Sequence, residues 1–411
     1  MQSRSMAIVW PSILMIVLCT IGALLLFTIA GLLVFSGLFQ LLTPYTTGMD
    51  AISAASAILL GVGAAFMGVL VLPPLYYNWQ QLNGKPVPET SIKPIRVWQI
   101  LILVAIALVT IFLGDLLLKE INWKAILAPV FYLPAVILPI LTAVWIAIGG
   151  LKIGSLRRAW NLFALGMVMV PIFIMVLEII IFSFLFLLLI FYVALQPDLM
   201  NQLVRLGEQL VNITEPQAVL DLVLPYLTNP LLLTIGFASI SILVPLTEEI
   251  LKPASLWLLG RKVPSAQEGF TLGVLSGAAF TLFESLGNVS NATEGWGVLV
   301  LARVGTDLVH ILGTGLMGWA IATTWQDKKY LRLLGIYLLV VLNHGVWNAQ
   351  AILVAASQLA LILPGSLSTQ TWIPIAIVVG LSVQTVLMIG CLVWMNHRLR
   401  PKAEPAFENV V

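Results

Sequence analysis

The sequence predicts an all-α membrane protein, a polytopic bundle of about ten transmembrane helices with both ends of the chain on the cytoplasmic side. Three observations carry this expectation. Of 411 residues, 60% are hydrophobic and 9% charged, too few charges to cover a soluble globule of this size. The apolar residues lie in helix-length runs without the ten-residue alternation of a membrane barrel, and a backbone in lipid must satisfy its own N–H and C=O groups. Lys and Arg, finally, are distributed unevenly over the breaks between runs.

The runs fall at 8–41, 51–77, 98–118, 127–151, 160–195, 230–260, 268–288, 298–325, 333–360 and 372–396. Each is long enough for the roughly 20 residues a bilayer requires. The first is far longer than a signal-peptide core and has no small-residue cleavage pattern, so it is read as a retained helix. The runs 8–41 and 160–195 exceed one crossing and must tilt, break or project into water. Pro73-Pro74 and Pro245 should bend their helices. Cys19 and Cys391 sit inside apolar runs and read as small hydrophobes.

Between the fifth and sixth runs, Leu199, Leu203, Leu206 and Leu210 recur at helical spacing beside Asp198, Arg205 and Glu208, which predicts an amphipathic helix at the membrane surface. The chain thus divides into an N-terminal region of five spans (1–195), an extracytoplasmic connector (196–229), a four-helix core (230–360), and a last span with a short tail (361–411). With the N-terminus cytoplasmic, 15 of the 20 Lys and Arg fall on that side. Only Lys119, Lys124 and Arg205 fall opposite, while Lys252 and Arg303 lie within spans. This bias supports the span count and the orientation together.

The chemistry concentrates in runs six to nine. Glu248 and Glu249 precede Lys252 by four and three residues, so the ammonium reaches either carboxylate on a helix. Phe280, Glu284 and Asn288 recur every fourth residue. Arg303, Asp307 and His310 share one side of the eighth run. His344 and Asn348 are one turn apart on the ninth, with Trp347 beside them. Ionisable groups inside a span are costly and mark functional sites by default.

Depth relates the four runs. Counting about 1.5 Å per residue from the cytoplasmic ends, Glu249 lies ~17 Å deep, Glu284 ~24 Å, His310 ~22 Å, His344 ~17 Å and Asn348 ~22 Å. Helices running in alternating directions thus bring their polar groups to one slab. Arg303, ~33 Å up, is read as structural or substrate-facing, and Asp307 as its structural partner at four residues' spacing. Adjacent glutamates point about 100° apart on a helix, so one is the base and the other the partner of Lys252. A desolvated glutamate suits a general base, and His344 with Asn348 can donate hydrogen bonds to a developing oxyanion. Water, base and two donors are the parts of amide hydrolysis.

Glu248-Glu249-x-x-Lys252, Phe280-x-x-x-Glu284-x-x-x-Asn288, Arg303 with His310, and His344-x-x-Trp347-Asn348 resemble the motif set of the PrsW-type glutamic intramembrane proteases. That family shares a superfamily with the type II CAAX prenyl proteases and the non-proteolytic scaffold subunit of gamma-secretase. The resemblance covers about 230–350. It implies that Glu248 or Glu249 activates the attacking water, that His344 and Asn348 form an oxyanion hole, that His310 is the additional histidine of the PrsW-like pattern, and that Glu284 stands where the prenyl proteases carry histidine. It implies an endopeptidase acting on membrane-protein substrates in the lipid bilayer, without a cofactor or a nucleic-acid partner; the membrane is read as a bacterial plasma membrane, with sequons at Asn212 and Asn291 on the outer side leaving a eukaryotic membrane as the alternative.

Three other readings use the same residues. Glu284, His310 and His344 can supply a zinc site, although no His-Glu-x-x-His sequence is present. An ion- or proton-coupled transporter would use the cluster as a relay. A catalytically silent scaffold would keep the architecture alone.

Overall fold

The structure, a computed structural model, describes residues 6–43, 51–118, 126–211, 213, 215–227, 229–263, 265–291, 295–362 and 372–400. Arg4, Lys119, Lys124 and Lys402, which enter the charge count, lie outside the described residues. Among the described residues, ten helices are long and apolar enough to cross a membrane. The protein is an all-α polytopic bundle.

The N-terminal part comprises α1 (Met6–Leu42), α2 (Ala51–Leu70), α3 (Leu72–Leu82), α4 (Val97–Leu118), α5 (Ala128–Ile148), α6 (Leu156–Ala164) and α7 (Val170–Ala194). Pro73 and Pro74 occupy the first turn of α3, where a missing N–H costs nothing, and the helix breaks before them at Val71. Two short strands, β1 (Glu89–Ser91) and β2 (Lys152–Ser155), pair antiparallel in the breaks that follow the second and fourth runs. The amphipathic connector forms α8 (Pro197–Val211) and α9 (Pro216–Leu227). Leu199, Leu203, Leu206 and Leu210 are its half-buried stripe, flanked by exposed residues.

The sixth run is interrupted twice. Helix α10 (Pro230–Ala238) passes through a π turn at Ser239–Leu243 into α11 (Val244–Leu251), and Pro253 then separates α11 from α12 (Ala254–Leu259). The remaining spans are α13 (Ala266–Val289), α14 (Trp296–Asp327), α15 (Tyr330–Ile362) and α16 (Trp372–Leu399).

The described residues divide into two compact units. One draws on Met1–Pro171, Glu249–Val340 and Val379–Val411, the other on Ile172–Glu248 and Val341–Val378. At the centre of the first unit α13 packs along α14. A Cβ on Gly269 would lie 2.5 Å from the Gly318 carbonyl, and one on Gly277 2.5 Å from that of His310. Small residues every fourth position let two membrane helices approach this closely. Leu272, Ile321, Ala322, Leu256 and Ile153 close an apolar core against the same pair. The start of α13 is capped by Ser265, whose Oγ accepts from the Glu268 N–H at 3.1 Å, and Glu268 pairs with Arg158. Further along α13, Tyr132 of α5 donates its hydroxyl to the Leu286 carbonyl at 2.5 Å. Asp115 of α4 accepts from the Gly297 N–H in the first turn of α14 at 2.9 Å. The helix that carries Glu284 is therefore held at both ends, and the helix that carries Arg303 and His310 at its first turn.

Candidate functional site

In the first unit the polar groups form a chain. Pro253 has no N–H to continue the helix, so the chain turns after Leu251 and buries Lys252 completely. Two carbonyls at this turn are taken up by side chains: Ser276 Oγ donates to Lys252 O at 3.0 Å and Trp257 Nε1 to Ile250 O at 3.0 Å. Lys252 Nζ donates to Glu249 Oε1 at 2.7 Å and meets His310 Nδ1 at 2.6 Å. Glu249 and Lys252 are both fully buried, so the pair is a desolvated one. Phe280 packs on both partners of this contact. Its ring lies 4.9 Å from Lys252 Nζ and edge-on to His310 at 5.1 Å between centroids.

The chain continues beyond His310. Its Nε2 lies 2.8 Å from Glu284 Oε2, and Glu284 Oε1 accepts from Arg303 Nη1 at 3.0 Å. Arg303 Nε donates to Ser285 Oγ at 3.0 Å. Asp307, expected as a plain partner of Arg303, accepts from Ser285 Oγ at 2.7 Å and Thr281 Oγ1 at 2.5 Å, so a serine hydroxyl bridges the guanidinium and the acid. Asn288 lies exposed one turn past Glu284, away from these contacts.

In the second unit Glu248 and His344 face each other, with His344 Nδ1 3.9 Å from Glu248 Oε2. Asn348, one turn along α15, donates through Nδ2 to the Ile240 carbonyl at 3.0 Å. Sequence dictates this approach. The π turn at 239–243 lies immediately before Pro245, and π turns displace backbone carbonyls from the regular ladder. Gly345, whose missing Cβ leaves room for the Ser241 carbonyl, brings α15 close. Trp347 is buried beside it. Gly277, Thr281, Ser285 and Gly345 have no place in the motif reading. The four-residue repeat Gly269, Gly273, Gly277, Thr281, Ser285 is the sequence signal that carries the first three.

A family model described as PrsW family intramembrane metalloprotease matches residues 209–386, somewhat wider than the motif region. No curated protein and no solved structure matches the chain.

That description raises the question of a metal. Zinc is possible by donor type. Glu249 with His310 in one unit, and Glu248 with His344 in the other, each bring a carboxylate and an imidazole ligand atom within 4.8 Å. Glu284, in the ligand set expected from sequence, is instead engaged with Arg303 and His310. The arrangement around His310 fits a metal poorly. A zinc ligand needs a ring lone pair, whereas Nδ1 meets the Lys252 ammonium and Nε2 faces a carboxylate. The ammonium stands where the cation between Glu249 and His310 would be.

Ten helices among the described residues that are long and apolar enough to cross a membrane, the glutamates and histidines buried within them, and the match over 209–386 converge: the part of the chain that carries the site is similar to the PrsW family of intramembrane proteases, and the protein is a membrane-embedded peptidase.

Proposed function

We propose that the protein is a glutamic-type endopeptidase in which Glu248 is the base. The observation that carries this reading is the 2.7 Å contact of Lys252 with Glu249, which commits the second glutamate to a buried ion pair. The first faces His344 instead. The 3.9 Å between Glu248 and His344 is too long for a direct hydrogen bond and admits a water bonded to both. Glu248 takes a proton from that water as its oxygen attacks the scissile carbonyl. The tetrahedral oxyanion accepts from His344 and from Asn348, whose amide has a second N–H beyond the one given to Ile240. Collapse breaks the C–N bond, and the proton held by Glu248 passes to the leaving amine. Glu284 and His310 hold Lys252 in place. The positive charge beside Glu249 comes from that lysine, and no step is routed through a metal.

The substrate class follows from the surroundings. Within the second unit an apolar cleft of about 870 Å³ runs between α7 and α10, lined by Phe182, Leu185, Phe186, Leu189, Leu231 and Ile240. It reaches the residue whose carbonyl receives Asn348, so an apolar transmembrane segment can approach from lipid. On the charge bias, we place both termini on the cytoplasmic side of the membrane; we take that membrane to be a bacterial plasma membrane and the catalytic core to lie within 230–360, where the motif residues fall.

The test compares new N-termini in the membrane fraction of host cells expressing the full chain or Glu248→Gln. Cleaved termini present with the wild type and lost in the variant support the mechanism. Equal sets, in cells where both proteins accumulate in the membrane, sink it. Cleavage retained in Glu248→Gln but lost in Glu249→Gln would exchange the roles of the two acids.

A further inference from the structure

We infer that Asp307, Thr281 and Ser285 are positioning residues that act through Arg303 and Glu284 to set the orientation and tautomer of His310. The role rests on the proposed use of the Glu248-Glu249 stretch.

The inference starts from the ridge of α13. Gly269, Gly273 and Gly277 let the backbone of α14 come close, and the same four-residue step then places Thr281 and Ser285 opposite Asp307. A hydroxyl has one hydrogen. Ser285 gives its hydrogen to Asp307, so its lone pairs face Arg303, whose Nε donates to them. With Nε on Ser285 and Nη1 on Glu284, the planar guanidinium is fixed at two points and cannot swing. Glu284 is thereby held with its other oxygen 2.8 Å from His310 Nε2.

The consequence appears at the far side of the imidazole. A lysine ammonium only donates, so Nδ1 accepts from Lys252 and the ring hydrogen sits on Nε2, toward Glu284. The carboxylate held by Arg303 favours this tautomer. Without it, the ring loses the partner that keeps its Nδ1 lone pair on Lys252. Asp307, 3% exposed, reaches Lys252 and Glu249 by way of Ser285, Arg303, Glu284 and His310. If these residues merely held two helices together, their loss would lower stability and leave the ring unchanged.

The chain has three histidines, which makes the ring observable. The full-length protein, labelled with ring-¹⁵N histidine and reconstituted in liposomes, is read by solid-state NMR, with His344 and His397 assigned through their glutamine variants. The expected wild-type His310 signal is an unprotonated Nδ1 and a protonated Nε2. Asp307→Ala should lose that pattern for a mixture of tautomers. Asp307→Asn, which retains an oxygen for Thr281 and Ser285, should keep it. In Glu284→Gln, adding Asp307→Ala should change nothing further. Should Asp307→Ala fail to fold, Ser285→Ala removes the Arg303 contact without deleting a buried acid, and the same loss is expected. A His310 pattern unchanged in the folded Asp307→Ala or Ser285→Ala protein overturns the inference, as does equal disturbance by Asp307→Asn. None of these readouts requires cleavage, so failure of the peptidase reading shows separately, in the new N-termini of Glu248→Gln.

Discussion

Replacing Lys252 by methionine keeps most of the side-chain volume and removes the ammonium. In the structure that group lies 2.7 Å from Glu249 Oε1 with both side chains fully buried. Two unit charges at that distance attract by about 6 kcal/mol at an effective dielectric of ~20, before the cost of desolvating them. The substitution leaves Glu249 buried beside a thioether, and breaking such a pair by removing one partner costs about 3–5 kcal/mol. Removing both charges, in Glu249→Gln with Lys252→Met, should recover most of that loss, because no uncompensated charge remains. The assay is an unfolding titration with SDS in mixed micelles, followed by tryptophan fluorescence. Lys252→Met should unfold at markedly lower SDS than the wild type, and the double variant should fall between them and closer to the wild type. A Lys252→Met protein as stable as the wild type, or a double variant no better than the single, would refute the claim that this pair is a desolvated ion pair.

Three further expectations can be checked on the same preparations. Gly277→Ala puts a Cβ 2.5 Å from the His310 carbonyl and should cost about 1–3 kcal/mol in the same titration, whereas Gly287→Ala on the open face of α13 should be neutral or stabilising by up to ~1 kcal/mol; equal effects would contradict the packing of α13 on α14. Asn348→Ala should lower kcat by about 10²–10³-fold with KM little changed, on a substrate identified from the new N-termini; a pure KM effect would move Asn348 from the oxyanion to substrate binding. Cleavage should be equally insensitive to 1,10-phenanthroline and to its non-chelating 1,7 isomer. Inhibition by the chelator alone, reversed by zinc, would replace Lys252 with a metal as the cation at Glu249.

The spans were legible because lipid enforces a simple rule: a backbone without water must close its own hydrogen bonds over some 20 residues. The charged triplet at Glu248, Glu249 and Lys252 was legible for the same reason, since each ion in that run is conspicuous. Partner choice was not. Spacing allowed Lys252 to reach either glutamate, and the turn at Pro253 decides between them by swinging the lysine toward Glu249 and His310. Spacing also paired Arg303 with Asp307, whereas a serine from α13 bridges the two. Such contacts depend on how closely α13 and α14 approach, and that is set by glycines, which carry no chemistry of their own to attract notice. The strands at 89–91 and 152–155 escaped because each is at most four residues long, too short to show alternation.

The adjacency of Glu248 and Glu249 has a physical reading of its own. Consecutive residues on a helix diverge by about 100°, so two acids on one turn cannot share one environment. Here Glu249 faces a lysine within the first compact unit, and Glu248 faces a histidine within the second. One peptide bond joins them. Within the first unit, the contact with Lys252 holds the Glu249 side chain in place. On the proposed mechanism, Asp307, Arg303, Glu284 and His310 would matter to the reaction without touching substrate, because they form the chain of contacts that ends on Lys252. The ordering this implies is testable: disabling the chain at Asp307 should lower the rate by less than disabling it at Lys252, and loss at Glu248 should exceed both. An Asp307→Ala protein as inactive as Glu248→Gln while fully folded would mean that Asp307 acts on the reacting atoms by another route.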